Sequence, residues 1–155
     1  MKLCIVRHGL AVTGADSDEQ RPLREEGVQQ AQRAGQWLES LGLESPQLMV
    51  SPYLRTQQTA QAINESLGST IDTMNALVPS SAPESVVEQL LAVKQDTVLV
   101  SHLPLVGRLA ALLVEGQVFD QPWSPAECWL LEGDIAAAAC MSVRDIWYPE
   151  LAQAS

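Results

Sequence analysis

The sequence predicts an α/β fold, a three-layer sandwich with a mainly parallel central sheet and helices on both faces. Two features carry this. Short, continuous apolar runs, the signature of strands buried on both faces, alternate with longer stretches whose apolar residues recur at helical spacing. No repeat, low-complexity tract or linker interrupts the alternation, which implies right-handed crossovers in one domain spanning 1–155. Composition agrees: 46% of the 155 residues are apolar and 18% charged, enough for a core and too apolar for intrinsic disorder.

The elements follow in order. Lys2-Leu3-Cys4-Ile5-Val6 reads as a buried strand running into Arg7-His8-Gly9. Residues 10 to 22 are polar and lack periodicity, a loop over a mouth. From Glu25 to Leu41, Val28, Ala31, Gly35, Leu38 and Leu41 recur at helical spacing, with Gly42 as terminator. Leu48-Met49-Val50 is a second strand, closed by Ser51-Pro52. A helix from Tyr53 to Leu67 aligns Leu54, Ala60, Ile63 and Leu67 on one face and stops at Gly68.

Ile71 to Met74 is a minor strand, and Pro83 to Val93 is a helix with Pro83 in its first turn and Val86, Val87, Leu90 and Leu91 as its apolar set. Thr97-Val98-Leu99-Val100 is another buried strand, ended by Ser101-His102. Pro104 opens a helix that is apolar around most of its circumference as far as Gly116, and so central. Glu127–Leu131 and Ala136–Val143 read as a hairpin around Glu132-Gly133-Asp134, although the alanine run alone favours a helix.

A net charge of −10 excludes several partners. Holding nucleic acid by its phosphates needs a groove of Lys and Arg, and an anionic membrane surface needs the same charge, so neither is expected. Cys4, Cys128 and Cys140 are odd in number and contain no CxxC pair, so no disulfide framework is expected, and Cys4 reads as a small buried hydrophobe. No run approaches the ~18 apolar residues of a membrane span, and a strand pattern beginning at Lys2 leaves no room for a leader. The expectation is a reduced, cytoplasmic protein. Trp37, Trp123, Trp129 and Trp147 read as packing, and Glu25, Glu26, Glu39 and Glu44 as a solvated helix face.

The chemistry is positional. The chain has two histidines, and each stands immediately after a buried-strand pattern: His8 and His102. Arg7 shares the first strand end, and Arg55 lies one helical turn beyond the strand Leu48–Val50. In open α/β sheets, ligands bind outside the carboxyl ends of the strands. A single histidine after a strand is commonly structural, and Arg55 alone reads as a surface arginine; three strand ends converging on one rim favour a site. Guanidinium forks match phosphate oxygens, and helix N-termini near Pro52 and Pro104 add donors, so a phosphoryl group fits best. An imidazole among such donors suits nucleophilic attack on phosphorus, with the remaining cations stabilising the transferred group. No cofactor is implied, and two histidines without a nearby Cys or paired carboxylate do not make a metal site.

Arg7-His8-Gly9 after an N-terminal strand, Ser51-Pro52-Tyr53-Leu54-Arg55-Thr56-Gln57-Gln58-Thr59, and Ser101-His102 resemble the histidine phosphatase (phosphoglycerate mutase-like) superfamily. Ser17-Asp18 followed by Arg21-Pro22-Leu23, and Val100-Ser101-His102-Leu103-Pro104-Leu105-Val106-Gly107, resemble its SixA phosphohistidine phosphatases. The likeness spans nearly the whole chain and is specific to about residue 116. It implies His8 as phosphorylated nucleophile, with Arg7, Arg55 and His102 binding the phosphoryl group. It implies Asp18 and Arg21 at the pocket mouth, Gly9 permitting close backbone approach, and the Leu103 amide as a further donor.

Many superfamily members carry a Glu between the second arginine and the second histidine as general acid for a leaving alcohol. Here the stretch reads Asn75-Ala76-Leu77-Val78, with Ala76 at the Glu position and Glu84 in a nearby helix start. A positioned acid is worth about 10²–10⁴-fold for an alkoxide, whereas imidazole departs from phosphohistidine already protonated. Short connections around residues 69 to 82 leave little room for a cap, so an open, shallow site is expected. The partner implied is a phosphohistidine-bearing protein, either a histidine phosphotransfer domain or a phosphotransferase-system protein, in phosphotransfer signal transduction. A small-molecule phosphomonoesterase and a non-catalytic phosphate-recognition module are the alternatives. Because His8 must be neutral to attack while a cationic His102 helps hold phosphate, a bell-shaped pH profile is expected.

Overall fold

The computed structural model describes residues 1–150, so 151–155 of the expected domain lie outside the described residues. Strands β1 (Lys2–Arg7), β2 (Gln47–Val50), β3 (Ile71–Thr73), β4 (Thr97–Ser101), β5 (Cys128–Glu132) and β6 (Ser142–Trp147) form one sheet in the order β3-β2-β4-β1-β5-β6. The pairs β2–β3, β2–β4 and β1–β4 are parallel, while β5 and β6 complete the sheet antiparallel. Helices α1 (Glu25–Ser40), α2 (Leu54–Leu67), α3 (Pro83–Leu90) and α4 (Leu105–Glu115) cover it.

The continuous apolar runs are explained by burial on both faces. Along β1, Cys4 and Val6 pack with Ala34 and Leu38 of α1 and Ala60 and Ile63 of α2. Leu3 and Ile5 point the other way, into a core with Val86 and Leu90 of α3 and Leu105, Leu109 and Leu113 of α4. Strand β4 does the same with Val98 and Val100 on one side and Leu99 on the other. Eight residues of α4 are buried, as its apolar circumference predicts. Gly42, Gly68 and Gly116 stop their helices at φ of 67°, 62° and 75°, conformations that cost glycine little.

Four local expectations are corrected. Leu54 and Leu91 are 38% and 44% exposed rather than on the packed faces; Leu54 opens α2 at the sheet rim, and Leu91 lies beyond the end of α3. Glu44 lies past α1, not on its face. The second hairpin strand is Ser142–Trp147, so only the end of the predicted Ala136–Val143 run belongs to it. The alanine run instead serves α4: the Ala139 amide joins that of Gly116 on the Leu112 carbonyl, and the Met141 amide satisfies the Leu113 carbonyl, each at 3.0 Å. That interaction is tertiary and leaves no period in the sequence. Trp123 and Trp147 are both buried, stacked on Trp129 and Trp37 respectively.

Candidate active site

Adjacent parallel strands must end on the same side of a sheet, and β2, β4 and β1 are consecutive neighbours. Their register sets Val50 and Val6 beside Val100, and Arg7 beside Ser101. The ladder continues past the strands: the His8 amide donates to the Ser101 carbonyl at 3.0 Å and the Ser51 amide to the Val100 carbonyl at 3.1 Å. His8, Ser51 and His102 are thereby delivered to one rim, and the first turn of α2 brings Arg55 back over it. His8, Arg55 and His102 are 7%, 3% and 1% exposed, so the groups are packed into the rim rather than standing out from it.

The hydrogen bonds assign the His8 tautomer. Nδ1 lies 2.7 Å from the Gly9 carbonyl oxygen, which can only accept, so Nδ1 carries the proton. Nε2 therefore has a free lone pair, and Arg55 Nε–H donates to it at 3.3 Å. The rest of the Arg55 fork points the other way, Nη1 to the Asp18 carbonyl at 2.7 Å and Nη2 to Asp18 Oδ2 at 3.2 Å. Arg21 Nε stands 3.1 Å from Asp18 Oδ1. Arg7 Nη1 donates to the Trp123 carbonyl at 2.6 Å, while its Nε is buried without a hydrogen-bond partner among the described residues.

His102 is held edge-on to His8, ring centroids 5.3 Å apart, and its Nε2 is 2.7 Å from Ser51 Oγ. Ser51 Oγ accepts the Tyr53 amide at 3.3 Å, and its second lone pair or its proton serves the bond to His102 Nε2. His102 Nδ1 is buried and has no hydrogen-bond partner among the described residues. The Tyr53 ring braces both neighbours, 5.0 Å from the His102 ring and 5.1 Å from the Arg55 guanidinium carbon.

Electrostatics follow from the crowding of cations. Burial, and then the charges of Arg7, Arg55 and Arg21, push the His8 pKa from 6.5 down to about 4 against the opposing Gly9 carbonyl. Burial, His8 and the same arginines push His102 down to about 2. Burial lowers the Arg7 and Arg55 pKa values as well. Burial and the arginines thus favour the neutral form of both rings in the free protein, whereas the cationic His102 expected from the sequence belongs to a phosphate-bound site.

Each residue singled out in the sequence can now be placed. Arg7, His8, Arg55 and His102 are brought together, and Asp18 and Arg21 join them through the Arg55 fork. The close approach at Gly9 is to α1: a Cβ there would run into the Gly27 backbone, and the Gly9 amide is engaged by Thr59 Oγ1 at 3.1 Å. Leu103 is half-buried beside His102 and precedes a cis peptide to Pro104. Ala76 lies in a short 3₁₀ turn, Asn75–Leu77, tied to the site strand by Ser101 Oγ donating to the Leu77 carbonyl at 2.7 Å. Glu84 is exposed on α3, and residues 69–82 carry only β3 and that turn. No group of three or more His, Cys, Asp or Glu among the described residues is arranged to hold a metal ion.

Sequence reasoning missed Ser51 as the hydrogen-bond partner of His102, and it missed Glu127. Glu127 is 8% exposed; its carboxylate accepts the Ser124 amide at 2.8 Å and the Trp129 indole N–H at 2.7 Å. It thereby folds the turn whose Trp123 carbonyl grips Arg7, and its charge opposes the burial of that guanidinium. No local pattern marks it, since it reads as the first residue of a strand.

The profile of the histidine phosphatase superfamily (branch 1) matches residues 3–79. The phosphohistidine phosphatase SixA of Escherichia coli is 34% identical over 123 residues, 76% of each chain. A SixA homologue from Haemophilus influenzae is 36% identical over 126 residues, covering 73% of this chain and 77% of that one. A solved structure of the protein histidine phosphatase SixA complexed with tungstate superposes with a TM-score of 0.89 at 27% identity, covering 98% of this chain and 99% of the other. The chain belongs to the histidine phosphatase superfamily, is of SixA type, and is a phosphatase.

Proposed function

We propose that this member of the superfamily removes the phosphoryl group from phosphohistidine on a partner protein, as one domain, without a metal ion. The observation that carries the reading is the His8 tautomer: Nδ1–H on the Gly9 carbonyl leaves the Nε2 lone pair among Arg7, Arg55 and His102. In the first step Nε2 attacks phosphorus and the P–N bond to the substrate ring breaks, its electron pair leaving with that ring. Water then attacks the His8-bound phosphoryl group, and the pair returns to Nε2 as phosphate departs. Arg7, Arg55 and His102 are the donors to the equatorial oxygens throughout.

The partner class is supported by the names of the SixA relatives and by Ala76, which supplies no acid for a leaving alkoxide. A histidine phosphotransfer domain or a phosphotransferase-system protein carries phosphohistidine where such a site can reach it. Leu103 and Gly9 line the recess in this reading, and Asp18 and Arg21 its mouth.

The test compares release of phosphate from a phosphohistidine-bearing phosphotransfer protein by the wild type and His8→Ala, both in chelator, beside a phosphosugar and nucleotide panel. Turnover by the wild type alone, with an inert panel, is the expected result. A panel member hydrolysed far faster moves the substrate to small esters. Binding without turnover of either class makes the protein a recognition module.

A further inference from the structure

We propose that Asp18 is a specificity-determining residue: its carboxylate accepts the ring N–H of a departing imidazole and so selects a phosphorylated imidazole over a phosphate ester. The inference rests on the phosphohistidine reading above. Asp18 is a carboxylate in a site built for an anion. It cannot itself hold a phosphoryl oxygen, because like charges repel. What it holds instead is the outer edge of the Arg55 guanidinium, whose inner Nε–H is on His8 Nε2.

That fork sets a direction from the nucleophile at one end to the Asp18 carboxylate at the other. In-line displacement requires the leaving group on the far side of phosphorus from His8, while Arg55 flanks the equatorial oxygens. The Asp18 side chain is 58% exposed against 4% for Arg55, so the carboxylate stands at the solvent side, where a ring carried by another protein must stand. Two oxygens offer about four acceptor positions. Arg55 Nη2 donates to Oδ2, while Arg21 Nε stands 3.1 Å from Oδ1 as an ion pair without hydrogen-bonding it, so both oxygens keep acceptor capacity.

The chemistry distinguishes substrates. A phosphorylated imidazole protonated on its second ring nitrogen needs no proton in the transition state. The P–N electron pair passes to the departing nitrogen, the ring leaves neutral, and the proton stays on the second nitrogen. A carboxylate accepting that N–H favours the protonated ring before attack. An alkoxide must be given a proton, and an ionised carboxylate has none to give. Asp18 therefore favours the one substrate class and offers the other nothing.

The test is Asp18→Asn, which keeps size and the Arg55 contact while removing the charge. The loop backbone remains tied by the Val12 amide on the Pro22 carbonyl and the Arg24 amide on the Leu10 carbonyl, so folding is not at stake. Values of kcat/KM are compared for a phosphohistidine peptide and for p-nitrophenyl phosphate, whose phenolate leaves unprotonated. The expected result is a drop of roughly 10- to 100-fold in the ratio of kcat/KM on phosphohistidine to that on the aryl phosphate, with partial recovery of the ratio in Asp18→Glu. Equal losses on both substrates overturn the inference and make Asp18 an anchor for Arg55, leaving the phosphohistidine reading standing. A wild type that hydrolyses only the aryl phosphate overturns both.

Discussion

The two ends of the central sheet treat charge in opposite ways. At the carboxyl ends of β1, β2 and β4, two imidazoles and the Arg55 guanidinium are under a tenth exposed, and Arg7 Nε and His102 Nδ1 have no hydrogen-bond partner among the described residues. At the other end, charges serve the backbone or each other in the open. The Asp96 carboxylate accepts the Lys2 and Glu44 amides at 2.9 Å each, tying the start of β1 to the β2 connection. Arg144 and Glu132 pair at 3.2 Å while 58% and 38% exposed. Buried cations that are only partly offset by neighbouring carboxylates cost folding free energy, and a dianionic ligand would offset more of that cost, which is the physical basis for the phosphoryl site proposed at the first end.

A charge-conserving substitution at each end tests the contrast most severely. Arg55→Lys keeps the cation but loses the planar fork that reaches His8 Nε2 and Asp18 together, so kcat/KM should fall by about 10²–10³-fold. Arg144→Lys should change it by less than about twofold, since an exposed pair tolerates the exchange. Steady-state kinetics on one phosphorylated substrate measures both. Comparable losses at the two ends would mean that the buried fork has no special role.

Glu127 is the intermediate case, a buried anion that belongs to the cationic end. In Glu127→Gln one side-chain group faces the Ser124 amide or the Trp129 indole donor-to-donor, leaving a buried group unsatisfied at about 1–3 kcal/mol. The turn presenting the Trp123 carbonyl to Arg7 loosens with it, and kcat/KM should drop roughly tenfold. Denaturant unfolding and kinetics together decide. Lost stability with unchanged kinetics would detach Glu127 from the site.

How much of this was legible follows from what each feature depends on. The strand-end histidines and Arg55 were readable because β1, β2 and β4 are buried on both faces and announce themselves as apolar runs, so the residue after each run is placed by counting. The double use of the Asp18 loop, the Ser51–His102 bond and the grip of the Trp123 carbonyl on Arg7 depend on contacts between segments far apart in sequence, which no local period records. The lowered pKa of His102 in the free protein was not legible for the same reason: the sequence contains no measure of three arginines closing around a buried ring. Ala136–Val143 looked like a strand because its backbone partners on α4 are tertiary.

The protonation difference also makes the cationic end sensitive to pH. His8 and His102 are held neutral at about 4 and about 2, below the usual 6.5. Below pH 6.5 the unfolded chain takes up protons that the folded chain refuses. Stability from this source is present above pH 6.5 and is lost as pH falls toward the folded values. The His8 ring, followed by NMR, should titrate near pH 4 in the free protein and at higher pH when inorganic phosphate offsets the arginine charges. A midpoint near 6.5 in the free protein would remove the electrostatic half of the contrast.

The smallest expected effect comes from the far end, where Asp96→Ala deletes a carboxylate that caps two backbone amides. Those amides lie at the edge of the structure, where water can replace a lost acceptor, so the cost should be about 1 kcal/mol. No site residue contacts Asp96, and β1 enters the core with Leu3, so kcat/KM should stay within about twofold while the unfolding midpoint falls. If activity dropped with stability, charge at the start of β1 would be communicating with His8 at its end. The strand would then be a lever between the two ends rather than a fixed support for one.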